Sequence, residues 1–203
     1  MDNEGFGPTG YLRPVGAVPD PYLLPSDLPV PVDDGAADHL EGAEIPALSL
    51  PSTAGHEIGL ADAARETLVL YCYPRTGRPG EPLPPGWDDI PGARGCTPQS
   101  CAFRDHHEEL RALGASVLGL SAQPRADQLE LAERIGLPYP VLSDPGLELA
   151  ASLDLPTFEV AGMRLYRRLT LIARAGTIAK VFYPVFPPDR NAAEVVAWLE
   201  GER

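Results

Sequence analysis

Two largely apolar stretches of this 203-residue chain set the frame for the rest. Thr67-Leu68-Val69-Leu70-Tyr71-Cys72-Tyr73 has no polar alternation, as a strand has none when both faces of its sheet are covered. Residues 115–121 read in the same way as a second buried strand. Between them, residues 97–113 place Phe103, Leu110 and Leu113 along one face of a predicted helix. A further helix is expected over 125–136, stopping near Gly136. Pro140-Val141-Leu142 is a short strand, Ser143-Asp144-Pro145 a turn and helix cap, and 146–153 a short helix. Residues 168–173 and 178–182 pair as a hairpin turned by Arg174-Ala175-Gly176. Asn191 is the expected cap of a last helix carrying Val195, Val196 and Leu199. Ile45-Pro46-Ala47-Leu48-Ser49-Leu50 alternates in part and predicts a short edge strand. Strands alternating with helices predict an α/β fold with helices on both faces of the sheet. The closing hairpin adds antiparallel strands, so the central sheet is expected to be mixed.

The first 36 residues break the pattern. Seven prolines lie there, and each removes a backbone donor and fixes φ, which excludes a regular helix or an inner strand. The segment reads as an extended, Pro-rich arm. Tyr11, Tyr22, Leu23 and Leu24 give it apolar content, so a solvated tail and a strap lying against the domain are both open. The folded domain is expected over residues 37–203, long enough for one substantial core at 44% apolar composition. A net charge of −13 argues against nucleic acid and anionic membrane surfaces as partners. No run of about 18 apolar residues offers a membrane span. Met1-Asp2-Asn3-Glu4 shows no basic or apolar leader, so the expected location is cytoplasmic. Three cysteines are too few for a disulfide scaffold.

Candidate chemistry concentrates in Gly95-Cys96-Thr97-Pro98-Gln99-Ser100-Cys101-Ala102-Phe103-Arg104-Asp105. A long loop separates the strand at 67–73 from Cys96, which stands where a helix begins. The backbone N–H groups of a first helical turn carry partial positive charge and favour thiolate, the reactive form, over thiol. Cys72 lies within an apolar strand and reads as core. Cys96, Cys101, His106 and His107 do not have the spacing of zinc motifs, and neighbouring histidines on a helix point in different directions. No metal or other cofactor is therefore expected. His106 and His107 read as surface residues beside Glu108 and Glu109. Strand alternation sends Arg167 and Arg168 to opposite faces, one toward the site and one toward solvent.

The run 68–74, the Cys96 segment, Leu118-Gly119-Leu120-Ser121 and Leu137-Pro138-Tyr139-Pro140-Val141-Leu142-Ser143-Asp144 together resemble the peroxiredoxins. The likeness is strongest to the bacterioferritin comigratory protein, or peroxiredoxin Q, subgroup, and it covers about residues 37–203. It implies a thioredoxin-like fold and a thiol-dependent peroxidase acting on hydrogen peroxide and small organic hydroperoxides. Under it Cys96 is the peroxidatic cysteine, Cys101 the resolving cysteine and Arg168 the active-site arginine. Gln99 stands where relatives carry Glu or Gln and helps to hold that arginine. Gly95 and Gln99 border the substrate. A thioredoxin-like dithiol is the implied reductant, and a monomer the implied assembly.

In such a reaction the Cys96 thiolate attacks one peroxide oxygen, and the other leaves as hydroxide or alkoxide. Positive charge near the sulfur serves both the thiolate and the departing oxygen, and an arginine cannot lose its proton. The product, a sulfenic acid, condenses with a second thiol. In an intact helix, residues five apart have Cα atoms about 8.6 Å from each other, from the helical rise and radius. A disulfide rarely spans more than about 7 Å. A Cys96–Cys101 bridge therefore requires the first turns of the helix to unwind.

Two features depart from the family pattern. Ala93 stands where the family places a threonine, three residues before the peroxidatic cysteine, and residues 75–95 form a long proline-rich insertion. Thr76, the hydroxyl of Thr97 or backbone N–H groups are the candidates to replace the missing contact. Trp87 in the insertion is either a local packing anchor or a lid contact. Two rival functions stay open. A thiol–disulfide oxidoreductase would favour a Cys-x-x-Cys pair, which the spacing of Cys96 and Cys101 is not. A non-catalytic thioredoxin-fold binding module would fit Ala93 and the insertion.

Overall fold

The computed structural model describes residues 20–202, so the first 19 residues of the arm, with Tyr11, and Arg203 lie outside the described part. A five-stranded sheet forms its centre, with strands in the spatial order β5 (Val141–Ser143), β4 (Ala115–Ser121), β3 (Thr67–Cys72), β8 (Leu169–Arg174) and β9 (Thr177–Phe182). β3, β4 and β5 are parallel, whereas β8 runs antiparallel to both β3 and β9. The sheet is thus mixed, with helices on both faces, in a thioredoxin-like α/β arrangement.

Side-chain alternation along β3 builds the two cores. Leu68, Leu70 and Cys72 face one side, where they pack with Leu60 of α1 (Leu60–Ala63) and Leu149 of α5 (Glu148–Leu153). Val69, Tyr71 and Tyr73 face the other. There they meet Phe103 of α2 (Cys96–Asp105), Leu110 of α3 (His107–Ala112), Leu131 of α4 (Arg125–Ile135), and Val195 and Leu199 of α6 (Asn191–Gly201). Cys72 is fully buried, and burial holds its thiol far above its ordinary range, so it is a core residue. Tyr71 needs room beneath α2, and Gly119 supplies it: a Cβ there would lie 2.8 Å from the tyrosine ring.

Several sequence expectations shift in detail. The predicted helix over 97–113 is two helices, α2 and α3, parted at His106, whose φ of −92° and ψ of 5° leave the helical region. The strand expected over 45–50 is instead β1 (Ser49–Pro51), paired with β2 (Glu57–Gly59); Pro46, lacking an N–H, stays outside it. Asp144 caps α5 as expected, its carboxylate accepting from the N–H groups of Glu148 (2.9 Å) and Leu149 (3.0 Å). Asn191 does not cap α6. It is the first helical residue, fully buried, with its amide turned inward.

A second hairpin, β6 (Thr157–Val160) with β7 (Met163–Tyr166), was not anticipated. It stands apart from the main sheet and carries a small third core. Trp87, Ala93 and Leu165 are buried there, with Leu83, Ile90, Phe158 and Met163 packed around them. The insertion is thereby ordered against β6 and β7. Trp87, only 3% exposed and with its ring 6.2 Å from that of Phe158, is its packing anchor.

Candidate active site

β3 ends at Cys72, and the chain returns through the insertion to start α2 at the same edge of the sheet. The antiparallel register pairs Cys72 with Leu169, which puts Arg168 at that edge too. Topology alone thus brings the first turn of α2 and Arg168 together. Gly95 makes the junction. It has φ of 101°, and a Cβ there would lie 2.3 Å from Pro188 Cγ and 2.7 Å from Leu24 Cδ2. Only glycine combines that backbone with that proximity. Pro98 falls within the first turn, where its missing N–H costs no helical bond; the first bond of the ladder runs from Gln99 N–H to the Gly95 carbonyl at 3.0 Å.

Arg168 is 3% exposed and spreads its guanidinium over the loop and the helix start. Nη2 lies 3.1 Å from Cys96 Sγ and donates to the carbonyls of Ala93 (3.2 Å) and Arg94 (3.1 Å). Nη1 donates to Gln99 Oε1 at 2.5 Å, and Nε to the Gly92 carbonyl at 3.3 Å. Five contacts fix a cation whose position decides what charge the sulfur tolerates. Gln99 is held in turn: its Nε2 donates to Asn191 Oδ1 at 3.0 Å, which also accepts from Thr170 Oγ1 at 2.6 Å. Thr170 of β8 points to the same side as Arg168, which lies two residues before it, just ahead of the strand. Asn191 and Thr170 are thus part of the site's support, and the sequence reading missed both. By residue type Asn191 suits a cap position. Only the fold shows its amide meeting Gln99, 92 positions earlier.

Cys96 is 3% exposed, and its thiol points to the Ala93 carbonyl at 3.7 Å. The pocket in front of it is lined by Pro21, Thr76, Leu83, Trp87, Arg94 and Thr97, among others. Thr76 is clamped by Gln123, whose Oε1 accepts from its N–H (2.7 Å) and its hydroxyl (3.1 Å). Thr97 lines the pocket with a hydroxyl that no neighbour among the described residues engages.

Cys101 is not brought to Cys96. Both lie in the intact α2, and all three cysteines are free thiols. Cys101 is half-buried against the core cluster that contains Tyr139, and burial raises its thiol pKa; nearby Arg104 pulls the other way. Beneath α2, Tyr71 donates to Ser100 Oγ at 3.2 Å, and burial pushes its hydroxyl up to about 12, so it stays neutral. His107 is less exposed than a surface reading implies, its ring 5.6 Å from that of Tyr139; His106 pairs with Glu109 at 2.6 Å. Among the described residues there is no cluster of three or more His, Cys, Asp or Glu that fits a metal ion. Nor is any described helix long and apolar enough to cross a membrane.

A thiol at a helix start under a buried arginine defines a class, the thiol-dependent redox proteins of thioredoxin-like fold. Residues 40–197 match the family model for Redoxin, and the chain belongs to that family, as a thiol-dependent peroxidase of peroxiredoxin Q or bacterioferritin comigratory type. Among curated relatives it is 28% identical to chloroplastic peroxiredoxin Q of Gentiana triflora, over 87% of this chain and 76% of that one. It is also 28% identical to chloroplastic peroxiredoxin Q of Arabidopsis thaliana, over 79% of this chain and 67% of that one. Among solved structures, peroxidoxin BcpB of Mycobacterium tuberculosis superposes with a TM-score of 0.67 at 26% identity, covering 81% of this chain and 99% of the other.

Proposed function

We propose that Cys96 is the attacking thiolate, Cys101 the resolving thiol of the same chain and Arg168 the group that orients the peroxide, with Gly95 and Gln99 framing the substrate. The observation that carries the reading is the Arg168 guanidinium 3.1 Å from the Cys96 sulfur, fixed by carbonyls on one side and Gln99 on the other. A thiolate there attacks the near oxygen of the peroxide while the far oxygen leaves and takes up a proton. The N–H groups of the first turn and the guanidinium receive the developing charge. The Cys96 sulfenic acid then condenses with the Cys101 thiol and releases water. A thioredoxin-like dithiol reduces the disulfide, which makes the enzyme an atypical 2-Cys peroxidase.

The substrates in this reading are hydrogen peroxide and small organic hydroperoxides, in keeping with the narrowness of the pocket in front of Cys96. Thr97 supplies the hydroxyl that Ala93 lacks, because Thr76 is already committed to Gln123. The reading further takes residues 1–36 as an arm on a 37–203 catalytic domain, acting as a monomer in the cytoplasm. The test is peroxide consumption with a thioredoxin system. Cys96→Ser should abolish turnover and Cys72→Ser should keep most of it, whereas full activity in Cys96→Ser would overturn the assignment.

A further inference from the structure

Part of the proline-rich arm lies across the start of α2, and what it holds there bears on the second step of the cycle. Asp20 turns the chain, its carbonyl accepting from Leu23 N–H at 3.3 Å and from Arg94 Nη2 at 3.0 Å. Arg94 is 7% exposed, and its other nitrogen pairs with Asp88 of the insertion at 3.1 Å. Tyr22 reaches the opposite side. Its hydroxyl accepts from Arg134 Nη1 at 2.9 Å, and its ring lies 5.4 Å from that guanidinium. Arg134 belongs to α4 and also donates to the Gly77 carbonyl, so this contact ties the arm to the fixed body of the domain. Two residues beyond Tyr22, Leu24 sits against Gly95, close enough that a Cβ on Gly95 would meet it at 2.7 Å. The arm therefore grips Arg94 and Gly95, the two residues that immediately precede Cys96.

Those are also the residues that have to move when α2 opens. In the helix the two cysteine Cα atoms are about 8.6 Å apart, beyond the reach of a disulfide, so the first turns must unwind before Cys101 meets Cys96. With residues 20–24 seated, unwinding must first break the Arg94–Asp20 bond and strip Leu24 from Gly95. We propose that residues 20–24 form a clamp on the start of α2 that sets how the Cys96 sulfenic acid divides between disulfide and further oxidation. The inference rests on the Cys96–Cys101 reading above.

Both branches balance. In one, the sulfenic acid and the Cys101 thiol form the S–S bond and release water. In the other, a second peroxide transfers an oxygen to the sulfenic acid, giving the sulfinic acid and an alcohol or water. The first branch waits for local unwinding; the second needs only peroxide in the folded pocket. Holding the helix closed lengthens the life of the sulfenic acid and favours the second branch as peroxide rises.

The experiment uses the full chain carrying Tyr22→Ala together with Leu24→Ala, beside wild type and Tyr22→Phe. Rapid-quench mass spectrometry follows one equivalent of hydrogen peroxide and then an excess. The double variant should keep the rate of the first oxidation within about twofold. It should form the species about 2 Da lighter at least about fivefold faster, and accumulate correspondingly less of the species about 32 Da heavier. Tyr22→Phe, which keeps the ring against Arg134, should fall between the two. An unchanged disulfide rate in the double variant overturns the clamp. So does a changed first step with an unchanged second one, which would make the arm only a wall of the pocket. If wild type forms neither species at Cys96, it is the peroxidase assignment that fails.

Discussion

Arg168 and Cys96 are 72 residues apart in sequence, yet Nη2 of one lies 3.1 Å from Sγ of the other. The contact is built by the sheet: β8 pairs with β3 in a register that delivers Arg168 to the edge where α2 begins. Arg168→Ala should slow oxidation of Cys96 by peroxide at least about tenfold, since losing one preorganised donor at developing charge typically costs about 10²–10³ in rate. Arg168→Lys should recover only part of the loss, because a point charge cannot also hold Gln99 and three carbonyls. Arg167→Ala should do much less. Equal effects of the two alanine variants in stopped-flow oxidation would reverse the assignment of strand faces.

What the sequence disclosed and what it hid follow a physical line. β3 and β4 are legible because both faces are covered over most of their length, which forces largely apolar runs. β6 and β7 are not. Glu159 and Arg164 pair on their open side, and their tight turn at Ala161-Gly162 has positive φ at both residues without the Asn-Gly or Asp-Gly signal such turns usually carry. Motif resemblance singles out Cys96, Gln99 and Arg168, which the structure brings into contact. It does not single out Thr170 and Asn191, since a buried amide between a strand and a distant helix leaves no local spacing to read. The break at His106 carries no glycine or proline, so periodicity ran straight across it.

Cys101 gives a pH test with a definite sign. Burial raises its pKa in the folded helix, so the closed form binds its proton more tightly than the unwound form, whose thiol titrates near about 8.5. The stability this lends the closed helix is complete below the unwound value and is lost as pH rises through the folded value. If the open form is rare, the rate of disulfide formation follows the folded group: the gain in unwinding offsets the saturation of thiolate in the open form. The rate should therefore keep climbing past pH about 8.5 before levelling off. A plateau at the ordinary thiol value, measured by rapid quench from pH 6 upward, would show that Cys101 is not buried before it reacts.

Gly95→Ala should damage both fold and activity. A left-handed φ costs a residue with a side chain about 1–2 kcal/mol, and the new Cβ would lie 2.3 Å from the ring of Pro188, which cannot swing aside as Leu24 can. A loss of at least about 2 kcal/mol in denaturant unfolding is expected, with slower Cys96 oxidation, because the same junction aims the first turn of α2. Wild-type stability in this variant would mean that the junction relaxes without moving Pro188.

The insertion offers the last test, and Trp87 is the residue to change. It does two things at once: it is buried against Phe158 in the small core over β6 and β7, and it lines the pocket in front of Cys96. Removing an indole from a packed site leaves a cavity and costs about 3 kcal/mol or more, so Trp87→Ala should loosen the insertion while the main sheet, with separate cores on both faces, stays folded. A loosened wall admits larger groups. The rate with cumene hydroperoxide should therefore rise relative to that with hydrogen peroxide, which already fits. Trp87→Phe, keeping an aromatic anchor, should leave the ratio near wild type. An unchanged ratio in Trp87→Ala, with the far-ultraviolet spectrum intact and the insertion newly open to protease, would mean that the wall does not select among peroxides.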